Sequence, residues 1–173
     1  MSDSQATERA GRSLLQGYKT IIAEEEEFKV FQKILYPTDF SSVSKKALGY
    51  IKQLKESGAM EVIVLHVIEE GEIAAVTRHL PRISVDLEKN MRESAMDSMS
   101  LVQQDLEANG LTVDPRIKTG IPLREILKVD ENEDISLIVI GSHGKSNLQE
   151  ILLGSVSEKV IRKCKKPVLV IKR

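Results

Sequence analysis

Leu137-Ile138-Val139-Ile140-Gly141-Ser142-His143-Gly144-Lys145-Ser146 runs from an apolar tetrad straight into a glycine loop. Four consecutive branched or aliphatic residues with no polar alternation read as a strand buried on both faces, the pattern of a parallel sheet. The strand stops at Gly141, where the chain can turn and its backbone N–H groups can approach a ligand without a Cβ in the way. Gly144 keeps the loop slim. After the short apolar segment Leu148 to Leu153, Gly154 permits a second turn, Ser155 opens a helix and Ser157 follows two residues on. Free N–H donors, hydroxyls and the positive end of a helix dipole are what a phosphate group requires. The spacing Gly-x2-Gly-x9-Gly-Ser is neither a Walker A loop nor the Gly-x-Gly-x-x-Gly dinucleotide fingerprint. On these residues alone, three glycines that merely end a strand and cap a helix remain an equal reading.

Around that stretch lie 173 residues with 25 Lys+Arg against 26 Asp+Glu, a net charge of −1. One domain with a full core is the default at this length. The balanced charge argues against a nucleic-acid binder, and 3% aromatics with no Trp argue against a base-stacking platform. Cys164, the single cysteine, excludes an internal disulfide and falls in a predicted helix, where it reads as a small core residue. No apolar run suggests membrane insertion and no signal peptide is evident, so the expected location is cytoplasmic.

In chain order, residues 1–27 read as an extension: Leu14, Leu15, Tyr18, Ile21 and Ile22 share one helical face, and the run Glu24 to Glu27 follows. A domain spans 28–173. Its first strand is Lys33 to Tyr36, followed by Pro37-Thr38-Asp39 and a helix capped at Ser41 or Ser42 with the stripe Val43, Ala47, Ile51 and Leu54. The second strand is Val62 to Ile68. Residues 69–83, with Gly71 and Pro81, read as a loop holding one helical turn. A long helix carries Leu87, Met91, Ala95, Met99, Val102 and Leu106, a methionine-bearing stripe expected to be core. Leu111 to Lys118 form a third strand that Pro115 consigns to an edge. A short helix runs from Ile121-Pro122 to Val129, a fourth strand covers 135–140, a helix spans Ser155 to Cys164, and a last strand covers 167–172. Strands alternating with helices predict an α/β, Rossmann-like, doubly wound parallel sheet of five strands in order 3-2-1-4-5. Its ligand crevice would lie where strands one and four separate.

Pro37-Thr38-Asp39, His66-Val67 and Gly141-x2-Gly144-x9-Gly154-Ser155-x-Ser157 together resemble the ATP-binding branch of the universal stress protein family, over about residues 31–173. The resemblance implies that Asp39 reaches the ribose or a metal–phosphate region, beside Pro37 and Thr38. It implies that Val67 offers backbone groups to the adenine edge, with Pro37 and Ile140 lining the base. Gly141, Gly144, Lys145, Gly154, Ser155, Val156 and Ser157 would hold the triphosphate, with Ser142, His143, Ser146 and Asn147 in the same loop. ATP is the implied cofactor, with Mg²⁺ or Mn²⁺ on its phosphates. Residues 1–27 have no counterpart in the minimal family domain, and 69–86 fall in a variable region. The expected function is a nucleotide-dependent, stress-response regulatory switch with little turnover; the alternative is a slow ATPase or phosphotransferase activated by an unidentified protein partner. Val168-Leu169-Val170-Ile171, an apolar edge strand, predicts a homodimer by strand pairing. Without the resemblance, Asp39 reads as a cap of the turn before the Ser41 helix ahead of any ribose contact, and His66 reads as a packed, hydrogen-bonded histidine.

Overall fold

A computed structural model describes residues 30–77, 84–144 and 153–172. The leader reading for residues 1–27, His79, and Lys145, Ser146 and Asn147 of the glycine loop lie outside the described residues. Five parallel strands, β1 (Lys33–Pro37), β2 (Glu61–Glu69), β3 (Thr112–Gly120), β4 (Leu137–Gly141) and β5 (Val168–Ile171), form one sheet in the order β3-β2-β1-β4-β5. The doubly wound α/β arrangement expected from the sequence is the one observed. Pro115 is accommodated because β3 is an edge.

Side chains alternate along each strand, so the sheet carries two cores. Ile34, Tyr36, Val62, Val64, Leu137 and Val139 face helices α1 (Ser42–Leu54) and α3 (Ser84–Ala108), meeting Ala47, Leu48, Ile51, Met99, Val102 and Leu106. Leu35, Ile63, Leu65, Ile138 and Ile140 face α4 (Pro122–Asn132) and α5 (Ser155–Lys163), meeting Ile126, Val129 and Val160. The Ser41 hydroxyl caps α1 by accepting from the Ser44 N–H at 3.3 Å. A 3₁₀ turn, Lys55–Ser57, then ends on Gly58 at φ 96°, a left-handed conformation that favours glycine.

One element corrects the sequence reading. The stretch expected to be a loop with a single turn holds a two-turn helix, α2 (Glu70–Thr77), joined directly to β2. Glu70 and Glu72 sit in its first turn, where carboxylates complement the exposed N–H groups. Gly71, the residue that suggested a loop, is helical, and a Cβ there would approach nothing nearer than 3.9 Å.

The amino end of the sheet is tied by charge. Arg116 on β3 donates to Asp114 at 2.5 Å and to both carboxylate oxygens of Glu133, while Lys33 reaches Glu61 at 3.0 Å and Glu133 at 3.2 Å. The Arg116 hydrogen bonds hold the Glu133 carboxyl below its ordinary range. A carboxyl depressed on folding contributes stability above its unfolded pKa and loses it as pH falls through the folded value. Arg116→Met should therefore cost about 1 kcal/mol at neutral pH. In urea titrations the gap between variant and wild type should close below about pH 4; a gap independent of pH would refute the assignment.

Candidate functional site

The strand order reverses between β1 and β4, and the helices that follow those strands leave in opposite directions. A crevice opens at that point by construction. It is a cleft of about 320 Å³ at the carboxyl ends of the strands, reaching from Gly154 and Ser155 at one end to Val67, Met91 and Ile126 at the other. Of the site residues expected from the sequence, Pro37, Thr38, Asp39, Val67, Ile140, Gly141, His143, Gly144, Gly154, Ser155, Val156 and Ser157 all line it. Ser142 is fully buried behind the wall.

At one end stands the amino terminus of α5. Its cap residue, Gly154, supplies no side-chain hydrogen bond, so the first-turn N–H groups of Ser155, Val156 and Ser157 receive no capping side chain among the described residues. The loop carrying them is anchored from below. Gly154 N–H donates to the Ser142 carbonyl at 2.7 Å, and the Ser157 hydroxyl lies 2.9 Å from the same oxygen and 3.0 Å from Gly154 O. The single Ser157 hydroxyl proton is thus engaged within the loop, and what this residue presents outward is its backbone N–H. Exposed Ser155 keeps its hydroxyl at the cleft.

Gly141 and Gly144 stand where space is tight. None of Gly141, Gly144 and Gly154 has positive φ. A Cβ on Gly141 would stand 3.2 Å from the Ser44 nitrogen and 3.3 Å from the Val43 side chain, where α1 begins. A Cβ on Gly144 would stand 2.8 Å from Asp39 Oδ2. Of the two reasons the sequence offered for glycine here, a free turn and a slim loop, the second is the one these distances carry: β4's loop passes close against the β1–α1 turn.

The other end is built by β2 outlasting β1. Pairing of the two strands ends at Pro37 beside Leu65, and the Thr38 N–H then donates to Leu65 O at 2.9 Å. In a parallel strand the N–H and C=O of one residue point the same way, and alternate residues share a side. Val67 therefore directs its N–H and C=O to the side β1 has already left, into the crevice. One donor beside one acceptor on a rigid strand is the complement of the N1/N6 edge of adenine. Apolar Pro37, Pro122, Ile126, Ile140 and half-exposed Met91 surround it.

Asp39 sits between the two ends. Its Oδ1 accepts the Ser41 N–H at 3.1 Å, the turn-capping role the residues alone allowed, while Oδ2 is the atom turned toward Gly144. His143 Nδ1 lies 2.8 Å from the Ser142 hydroxyl. Cys164 sits just past α5, half-buried, and burial followed by the charge of Asp130 pushes its thiol up to about 11, so it is not a nucleophile at neutral pH. Sequence reasoning missed Ser44, Leu65, His66, Ile68, Glu69, Glu72, Met91, Pro122 and Ile126 in the lining. For Pro122 and Ile126 a signal existed, because a helix that follows a strand must start at the strand's carboxyl end. For Met91 none did: Met99 of the same stripe is core at 4% exposure.

The sequence profile of the universal stress protein family matches residues 31–172. The chain belongs to that family. The universal stress protein MJ0577 of Methanocaldococcus jannaschii is 44% identical over 156 residues, which span 83% of this chain and 96% of that one. The solved structure of MJ0577 superposes with a TM-score of 0.77 at 46% identity, covering 83% of this chain and 97% of that one. Universal stress protein YxiE of Bacillus subtilis is 30% identical over 148 residues, covering 83% of this chain and its own full length. A family member from Arabidopsis thaliana solved with AMP bound shares the fold at TM-score 0.59 and 18% identity, over 82% of this chain and 92% of that one. Within the family's fold, this universal stress protein places α2 and α3 so that Glu72 and Met91 reach the cleft, the region where the sequence left the cover undefined. Among the described residues no helix is long and apolar enough to cross a membrane.

Proposed function

We propose that this universal stress protein is an ATP-binding regulatory module, a dimeric nucleotide-dependent switch with little turnover of its own. One observation carries the reading: a single cleft is lined by both the Val67 backbone and the uncapped first turn of α5. The first suits an adenine edge and the second a phosphate chain. The family member with AMP bound supports an adenine nucleotide in this fold. Asp39 between them would repel phosphate unless a cation intervenes. Among the described residues no cluster of three His, Cys, Asp or Glu could hold a metal. Mg²⁺ or Mn²⁺ would accordingly take most of its ligands from phosphate and water, with Asp39 Oδ2 as the protein's contribution. The cation neutralises phosphate charge; the chain's own part is to hold the base, the phosphates and that one carboxylate in line.

Calorimetric titration with ATP tests the assignment. Ser155→Ala removes one hydrogen bond to a charged group, a loss of roughly 1.5–3 kcal/mol, or about ten- to a hundred-fold in affinity. Absence of binding by wild type would sink the reading.

The switch would act through β5. Pro167 O and Ile171 O accept from β4, so Val168 and Val170, one residue out of phase, direct their N–H and C=O groups to the open edge. Exposed Ile161 on α5 adds apolar surface to the protein at 43% exposure. An edge of this kind invites a second copy in two-fold antiparallel pairing. Val170→Pro deletes an outward donor while sparing the β4–β5 ladder, and light scattering should then show monomers where wild type shows dimers. A wild-type monomer at micromolar concentration would remove the claim.

A further inference from the structure

The turn that carries Asp39 is strained, and it is held from a neighbouring strand. Phe40 has φ 59°, the one non-glycine residue with positive φ among those described. An aromatic side chain in the left-handed region is a true outlier, which persists only where its surroundings over-determine it. Two sets of contacts do so here. On the β1 side, the Tyr36 hydroxyl donates to Ser44 O at 2.7 Å, the Ser44 hydroxyl donates to Thr38 Oγ1 at 2.8 Å, and Thr38 Oγ1 also accepts the Phe40 N–H at 3.0 Å. From β2, His66 supplies the rest. Its Nδ1 lies 2.8 Å from the Thr38 carbonyl, and its ring packs on Phe40 with centroids 4.6 Å apart and planes tilted by 30°. A carbonyl only accepts, so Nδ1 carries the proton in this contact. His66 is 8% exposed. It thus grips the residue before Asp39 through its backbone and the residue after Asp39 through its side chain.

We infer that His66 is a positioning residue for Asp39: by fixing Thr38 and Phe40 it holds Oδ2 at the cleft wall beside Gly144, at the end where a phosphate-bound divalent cation would sit. His66 also precedes Val67, so the strand that reads the base edge sets the carboxylate at the phosphate end. The inference rests on the ATP reading, and its test separates the two. ATP affinity is measured with Mg²⁺ and with EDTA for wild type, His66→Phe, His66→Asn, Phe40→Leu, Asp39→Asn and the double variant His66→Phe/Asp39→Asn. Phenylalanine keeps the ring against Phe40 and loses the donor. Asparagine places its amide nitrogen where Nδ1 was and loses the ring.

His66→Phe should weaken binding about ten-fold with Mg²⁺ and less than about two-fold in EDTA, the scale of one displaced polar contact. His66→Asn should recover most of that loss. Phe40→Leu should lower the Mg²⁺-dependent part alone, and the double variant should bind no worse than Asp39→Asn, the signature of two residues acting as one unit. Equal losses with and without Mg²⁺, or additive losses in the double variant, would overturn the positioning role while leaving ATP binding intact. Failure of wild type to bind ATP under either condition would remove both readings. Should His66→Phe not fold, His66→Asn and Phe40→Leu carry the same comparison, and unchanged Mg²⁺ dependence in both would equally overturn it.

Discussion

Replacing Gly144 by valine is expected to lower ATP affinity by more than about a hundred-fold, the equivalent of losing more than one hydrogen bond to a charged group. The first atom of any side chain at this position would lie 2.8 Å from Asp39 Oδ2 and 3.7 Å from its Cγ. Asp39 cannot simply swing aside, because Oδ1 is held by the Ser41 N–H at 3.1 Å and the turn behind it is pinned at Thr38 and Phe40. Either the carboxylate leaves its place or the glycine loop retreats from the first turn of α5. Both outcomes separate groups that a nucleotide must contact together. Alanine should fall between glycine and valine, since it introduces the clash without the branched methyls that would fill the cleft. Gly144 lines a surface cleft, outside both cores, so thermal unfolding should change little. Wild-type affinity in the valine variant would show that this loop does not close on the ligand.

The sheet was legible because its inner strands are apolar on both faces, and glycine or proline marks an end of β1, β3, β4 and β5. Leu137 to Ile140 and Val62 to Ile68 could hardly be read as surface helices, and the alternation of such runs with amphipathic stretches dictates a parallel order. Pro115 even placed its strand at an edge. The segment after Glu69 was not legible. Its helix has scarcely any apolar stripe, and Gly71 is ordinarily a breaker; the acidic first turn and packing against α3 outweigh that preference. The site divides the same way. Donors that belong to the backbone announce themselves through glycine and serine, whereas Met91 and Glu72 arrive by tertiary placement of elements that carry no motif. The geometry of Val67 was equally hidden: only the register of β1 against β2, which ends two residues earlier, shows that its N–H and C=O face the crevice. The glycine loop announced a need for space but not what crowds it, because the close approach of Asp39 and Ser44 is a contact between segments about a hundred residues apart.

Single-turnover hydrolysis of bound ATP by the isolated protein is expected to run orders of magnitude below the enzyme median of about 10 s⁻¹. On the proposed reading, the groups that line the cleft would bind phosphate without discriminating between ground and transition states. Backbone N–H groups at a helix terminus and the Ser155 hydroxyl would meet phosphate oxygens before and during transfer nearly alike, which yields affinity without acceleration. Phosphoryl transfer speeds up when a cationic group meets charge that develops in the transition state, and among the described residues no arginine or lysine lines the cleft. Lys145 lies outside the described residues. His143 is the imidazole in that loop, and the Ser142 hydroxyl 2.8 Å from its Nδ1 gives the ring an orientation that the sequence did not reveal. That contact makes His143→Ala the deciding comparison, with Mg²⁺ and with Mn²⁺. A wild-type rate near the enzyme median, abolished in this variant, would make the protein an ATPase with His143 as its base. A slow rate that rises when a second protein is added would instead place the missing cation on that partner, as activating proteins do for other slow nucleotide switches.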